Sequence, residues 1–175
     1  MTAVFIGGSR RARRLNAEVC HRLDRIIQRR LRVLVGDANG ADKAVQTYLA
    51  RRAYKNVEVF CTGGFCRNNV GGWKTRNVSA PRSGTGFEFY SAKDAEMARE
   101  ASVGLMLWDG RSRGTLANIT RLLEAHKKAV VYLLPKKCFL TLRGEGDLDA
   151  LVSNVHSHAK SPLKDFNRAS MADLF

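Results

Sequence analysis

Three times in this chain a short apolar run stops at a loop of small residues, and a helical pattern begins behind it. Residues 3–6 end in Gly7-Gly8-Ser9-Arg10, residues 32–35 in Gly36-Asp37-Ala38-Asn39-Gly40-Ala41-Asp42, and residues 103–108 in Asp109-Gly110-Arg111-Ser112-Arg113-Gly114-Thr115. Short apolar runs bounded by glycine read as buried strands, and apolar spacings of three and four read as helices. Leu15, Val19, Leu23, Ile26, Ile27 and Leu31 form the first such stripe; Ala44, Val45, Tyr48 and Leu49 form the second, in a helix over 42–53. Leu116, Ile119, Leu122 and Leu123 form a third, over 116–126. Residues 57–60 add a strand, a helix capped by Ser91 runs to Ala101, and a fifth strand over 129–134 is closed by Pro135. Alternation of this kind predicts an α/β fold: a doubly wound sheet of five parallel strands, order 3-2-1-4-5, with helices on both faces and right-handed crossovers. Residues 139–142 extend or flank that sheet, and 148–155 form a last helix.

Ligands of such sheets sit outside the carboxyl ends of the strands, in the crevice where strand order reverses. Here that crevice lies between the first and fourth strands, which carry the Gly7-Gly8-Ser9-Arg10 and Asp109–Thr115 loops. Gly110 and Gly114 let backbone approach a ligand, and the first amides of a helix lack intrahelical partners, so the place suits an anion. Arg111 and Arg113 add charge, and Arg10 offers a planar fork matched to phosphate oxygens. Each feature also has a plainer reading. Ser9, Ser112 and Thr115 are good helix caps, and Asp42 in a first helical turn answers the helix dipole as well as it would a ligand hydroxyl. The glycines only partly match Gly-x-Gly-x-x-Gly, so a conventional dinucleotide fingerprint is not indicated.

The net charge of +14 on 175 residues gives a long-range attraction for phosphorylated ligands and polyanions. Much of it falls on Arg10, Arg11, Arg13 and Arg14, then Arg22, Arg25, Arg29, Arg30 and Arg32, read as the solvated face of a basic first helix. No recognisable nucleic-acid reading module accompanies it. The length and the 45% hydrophobic content fit one domain over 1–156, followed by a polar tail over 157–175 whose Met171, Leu174 and Phe175 could dock on the body or a partner subunit. No apolar run approaches membrane-spanning length and no signal peptide is legible, so a cytoplasmic protein without membrane contact is expected. Cys20, Cys61, Cys66 and Cys138 show no zinc-ligand pairing, and reduced thiols are expected rather than a Cys61–Cys66 disulfide; neither metal nor cofactor is expected. From Thr62 to Tyr90 no period is sustained, and the mixture of Arg67, Asn68, Asn69, Trp73, Lys74 and Arg76 reads as a lid or binding loop. Trp73, Phe87, Phe89 and Tyr90 could stack on a base or anchor that loop to the core.

The ordered set Gly-Gly-Ser-Arg, Val-Gly-Asp-Ala-Asn-Gly-Ala-Asp, Tyr-Ser-Ala-Lys-Asp-Ala-Glu-Met-Ala and Trp-Asp-Gly-Arg-Ser-Arg-Gly-Thr resembles the SLOG superfamily of Rossmann-like domains over residues 3–134. Lonely-guy phosphoribohydrolases, DNA-processing protein A and, more distantly, nucleoside deoxyribosyltransferases are its members. The resemblance implies a nucleotide or sugar-phosphate ligand held by Gly7, Gly8, Ser9, Arg10, Gly36, Asp42, Asp109, Gly110, Ser112, Gly114, Thr115 and Asn118. It also implies a homodimer. The glycosidic-bond-cleaving members carry a glutamate just after a Gly-Thr pair, where this chain has Asn118, an amide that can orient a ribose but cannot act as nucleophile or base. Glu88, Asp94 and Asp109 are the carboxylates left as candidate catalytic groups for an N-glycosidase or nucleoside transferase. By analogy with DNA-processing protein A, nucleic-acid binding through the basic first helix is a third reading.

Overall fold

The computed structural model describes residues 2–79 and 86–156, with Phe87 and His156 described by their backbone alone. The expected tail over 157–175, Pro81 and Gly84-Thr85 lie outside the described residues. One sheet organises the chain. Its strands are β1 (Ala3–Gly8), β2 (Arg32–Gly36), β3 (Val57–Thr62), β4 (Lys74–Val78), β5 (Val103–Trp108), β6 (Lys128–Leu133) and β7 (Cys138–Leu142). They run in the order β4-β3-β2-β1-β5-β6-β7, all parallel to their neighbours except β7, which is antiparallel to β6. The helices are α1 (Ala17–Gln28), α2 (Ala41–Arg51), α3 (Gly86–Glu100), α4 (Arg113–Glu124) and α5 (Glu145–His156).

The five expected strands keep their expected mutual order, but the sheet has seven strands, not five, and is not wholly parallel. The additions are edge strands. Residues 139–142 become the antiparallel β7, while β4 comes from the segment read as a structureless loop. Its sequence, Lys-Thr-Arg-Asn-Val, lacks the apolar run by which a central strand is recognised, because an edge strand need not be buried. Polar contacts fasten it instead. Glu58 of β3 pairs with Arg32 of β2 and, at 2.9 Å, with Arg76 of β4; both arginines also pair with Glu100 at the end of α3.

Period-two alternation splits the sheet into two faces. On one, Val4, Ile6, Val33 and Val35 pack against Val19, Leu23 and Ile26 of α1 and Val45 and Leu49 of α2. On the other, Phe5, Leu34, Phe60, Met106 and Trp108 pack against Met97 of α3 and Ile119 and Leu122 of α4. Helices therefore cover both faces as expected. α3 begins at Gly86, a turn earlier than a Ser91 cap would have set it. Ser91 sits inside the helix, its hydroxyl donating to the Glu88 carbonyl. α1 starts later than the arginine run: Asn16 is its cap, its side chain accepting from the Val19 amide at 3.0 Å. Arg10, Arg11, Arg13 and Arg14 consequently lie in the β1–α1 loop, and α1 itself carries only Arg22 and Arg25. The face of a basic first helix is thus not formed, since Arg22 is buried with its guanidinium 4.6 Å over the Phe139 ring. Among the described residues, no helix is long and apolar enough to cross a membrane.

Candidate functional site

A cleft of about 470 Å³ opens at the carboxyl ends of β1 and β5, where strand order reverses. Of the residues expected to bind a ligand, Gly7, Gly8, Ser9, Arg10, Asp42, Asp109, Ser112, Gly114, Thr115 and Asn118 line it; Gly36 and Gly110 do not. Arg11, Arg67, Arg111, Arg113 and Arg121 join Arg10 in the lining, and Lys93, Asp94 and Tyr90 reach it from α3. Six guanidinium groups around one cavity make it a strongly anion-attracting place.

The two loops are tied to each other. Asp109 accepts from the amides of Ser112 at 2.7 Å and Arg111 at 3.0 Å, and from the Ser9 hydroxyl at 2.9 Å, which joins the loop after β1 to the loop after β5. Burial acts to raise the Asp109 pKa, but these donors outweigh it and hold the carboxyl below its ordinary value. Asp109 is therefore a fixed bracket between the two loops at the cleft wall. Ser9 is used in the same way: its hydroxyl donates to Asp109 and accepts from the Arg11 amide, and its carbonyl accepts from Ala12 and Ala41.

Ser112 caps α4, its hydroxyl accepting from the Thr115 amide at 3.3 Å and the Thr115 hydroxyl at 2.9 Å. The amides of Arg113 and Gly114, the first two positions of the helix, have no intrahelical acceptor and point out of its N-terminus. A Cβ on Gly114 would meet nothing within 4 Å, so the backbone here faces open space inside the cleft lining. Gly8 and Gly36 serve packing. Gly8 has no room for a Cβ beside the Leu107 carbonyl, and Gly36 leaves space for the Asp42 carboxylate and the Lys93 ammonium. Gly110 adopts φ +77, which its turn requires, beside Val155 and away from the main cleft.

The cleft floor is a buried charge cluster that sequence reading missed, since its members are scattered over three segments. Lys93, 3% exposed, lies 2.8 Å from Asp94 and 3.9 Å from Asp37. Asp42 accepts from the Ala38 amide at 3.1 Å, and burial, its main perturbation, pushes its carboxyl up to about 6 against the pull of Lys93. Desolvation acts to lower the Lys93 pKa, but Asp94, Asp42 and Asp37 together hold it above the ordinary lysine value. Asn118 completes the floor: its amide donates to Asp94 at 3.0 Å, and its carbonyl oxygen accepts from Arg121 at 2.8 Å.

Among the three carboxylates left as catalytic candidates, Glu88 is exposed and lies outside the cleft lining, and Asp109 is occupied by its loop. Asp94 lines the cleft and accepts from Asn118. Trp73, read as a cover for the base, is 8% exposed and donates its indole N–H to the Tyr54 carbonyl at 2.8 Å, so it anchors the loop to the core. The side chain of Phe87 lies outside the described residues. Phe89 packs over Gly63, and Tyr90 borders the cleft. Cys61 and Cys66, expected as thiols, form a disulfide across the intervening glycine turn, with Cα atoms 5.2 Å apart; Cys20 and Cys138 are half-buried thiols. The turn at Gly63 and Gly64, both at positive φ, brings the two cysteines together. Among the described residues no group of His, Cys, Asp and Glu side chains could hold a metal ion.

A solved structure of DNA processing protein A from Helicobacter pylori, reported for its single-stranded DNA binding mode, matches 74% of this chain with a TM-score of 0.56. The two proteins share a fold. Sequence identity is 14%, and the match spans 64% of the length of the DNA processing protein A chain. At that identity the likeness is one of α/β fold alone. No family model matches the sequence, and no curated protein matches it.

Proposed function

We propose that the chain is a nucleotide-binding domain that holds its ligand between the β1 and β5 loops and does not cleave its N-glycosidic bond. The observation that carries this reading is the cleft itself: six arginines and the N-terminus of α4 surround one cavity at the sheet's switch point. Phosphate is held by Arg10, Arg113 and the amides of Arg113 and Gly114. Asp94, kept in place by Lys93 and Asn118, accepts from ligand hydroxyls. Binding without cleavage follows from the chemistry of the floor. Asn118 is an amide, and the Asp94 carboxylate beside it has one oxygen on the Lys93 ammonium and the other on the Asn118 amide, so neither group stands free to attack the sugar.

The test is calorimetry with ribonucleoside monophosphates on the wild type and on Arg10→Ala and Gly114→Val, with release of free base followed on the same samples. Expected are binding by the wild type, weakening of about tenfold or more in each variant through loss of one charge-assisted contact or of backbone access, and no base release. Turnover that disappears in Asp94→Asn would replace this reading by the N-glycosidase one. A second reading has its own support: a basic groove formed by Arg13, Arg14, Lys43 and Arg51 lies beside the arginine loop, and the fold is shared with a protein known for binding single-stranded DNA. It places the nucleic-acid contact on the β1–α1 loop and α2 rather than on α1.

A further inference from the structure

Tyr90 is 42% exposed at the border of the arginine-lined cleft. One face of its ring is occupied: the Arg67 guanidinium lies 4.7 Å from the ring centroid. That guanidinium is itself fixed. Its Nε and Nη2 donate to the two oxygens of Asp37 at 3.1 and 2.7 Å, the Arg67 backbone amide donates to the same carboxylate at 3.0 Å, and Asp37 is 1% exposed. Phe89 meets Tyr90 edge-on, with centroids 5.3 Å apart. The ring is thus supported on one face and at its edge by immobilised groups, a rigid stacking platform and not a mobile surface tyrosine.

Its place relative to the anion-binding loops is set by the sheet. Arg67 follows β3 and the Ser112 to Gly114 turn follows β5, and in the order β3-β2-β1-β5 these are three strand spacings apart. At about 4.8 Å per spacing this separates the two by roughly 14 Å across the top of the sheet. Tyr90, Asp94 and Met97 recur at helical spacing on α3 and all line the cleft, so one helix face leads from the ring to the carboxylate on the floor.

We infer that Tyr90, backed by Arg67, is the subsite for a nucleobase, so that the cleft selects nucleoside phosphates over base-free sugar phosphates. This rests on the phosphate and hydroxyl assignment made above and adds the base to it. A planar base laid on the open face of Tyr90 extends a guanidinium–ring stack that is already in place, and it loses little freedom in the protein on binding. Stacking uses the π-face every base possesses, so the platform recognises a base as a class and leaves the choice among bases to other contacts.

Affinities of the four common ribonucleoside monophosphates and of ribose 5-phosphate are measured by calorimetry for the wild type, Tyr90→Phe and Tyr90→Ala. In the wild type the best-bound nucleotide is expected to exceed ribose 5-phosphate by about five- to a hundredfold. That advantage is lost in Tyr90→Ala and kept in Tyr90→Phe, while ribose 5-phosphate binds all three proteins alike. Upfield shifts of the base protons in the NMR spectrum of the bound nucleotide accompany stacking and vanish in Tyr90→Ala. The inference is overturned, with the phosphate site intact, if ribose 5-phosphate binds the wild type as well as every nucleotide does, or if Tyr90→Ala weakens both ligands equally. If none of the five ligands binds, the site assignment falls with it.

Discussion

Asp42 is the residue at which the cost of building this site is easiest to measure. Burial raises its carboxyl to about 6, against an unfolded value near 4. A raised carboxylate pKa means that the folded state binds the proton more tightly. Below pH ~4 both states are protonated and nothing is lost; between pH ~4 and ~6 the folded state forgoes stability, and above that the cost is complete, on the order of 2–3 kcal/mol. Asp42→Asn keeps an acceptor for the Ala38 amide and leaves Lys93 paired with Asp94. Its stability relative to wild type should therefore rise from pH 4 to pH 6.5 in denaturant titrations, and a difference that stays flat over that range would refute the assignment. Gly36→Ala makes the complementary prediction: a methyl group there has no space beside the Asp42 and Lys93 charges, and a loss of about 1–3 kcal/mol is expected at any pH. At this scale the sequence was informative where chemistry is local. Ser112 as cap and Gly114 as an open position follow from a dozen consecutive residues, whereas the cluster of Asp37, Asp42, Lys93 and Asp94 depends on two distant segments meeting over Gly36. The same limit hid the bond between Asp109 and Ser9, which joins two loops a hundred residues apart.

Among the elements, β4 is the one whose existence depends on polar chemistry. It pairs with β3 in parallel register from Lys74 opposite Glu58 to Val78 opposite Thr62, yet most of its side chains face outward. The Glu58 carboxylate, 5% exposed, is subject to a burial penalty that would raise its pKa, and its bonds to Arg32 and Arg76 outweigh it and hold the value low. A lowered carboxylate pKa contributes stability that is present above pH ~4.5 and is lost as the pH falls through the folded value. Glu58→Gln should cost about 2 kcal/mol at neutral pH, less than a fully buried pair because both arginines are about a third exposed. The loss should be local first: amide exchange at residues 74–78 should accelerate more than in β1 or β5, and the variant's deficit should shrink toward acid pH. Uniform acceleration over the whole sheet would show that β4 is not a separable edge. Pattern reading found the five inner strands because each must be apolar on both faces, a demand that leaves a continuous signature. An edge strand held by arginine and glutamate leaves none, and so 62–90 looked like a loop.

At the scale of the whole molecule, the charge of +14 draws any polyanion, and the question is whether the chain uses that attraction over a long strand or in one cavity. The two readings differ in how affinity responds to salt. A nucleoside monophosphate seated among Arg10, Arg113 and the α4 amides brings one phosphate into a partly enclosed cleft, so its affinity should fall shallowly as salt rises. A single strand that left the cleft and followed Arg13, Arg14, Lys43 and Arg51 would neutralise four more phosphates. At about 0.7 counterions released per phosphate, log affinity would then fall against log salt more steeply by about 3. The nucleotide reading predicts that a twelve-residue oligonucleotide, titrated by fluorescence anisotropy from 0.05 to 0.3 M salt, shows general electrostatic binding that fades toward the upper limit. It also predicts that the quadruple Arg13→Ala, Arg14→Ala, Lys43→Ala, Arg51→Ala variant still binds nucleoside monophosphates as the wild type does. None of these four residues lines the cleft, which is why their removal separates the two readings. Oligonucleotide binding that persists at 0.3 M salt and is abolished in the quadruple variant, with mononucleotides ignored by both proteins, would transfer the function from the cleft to the groove.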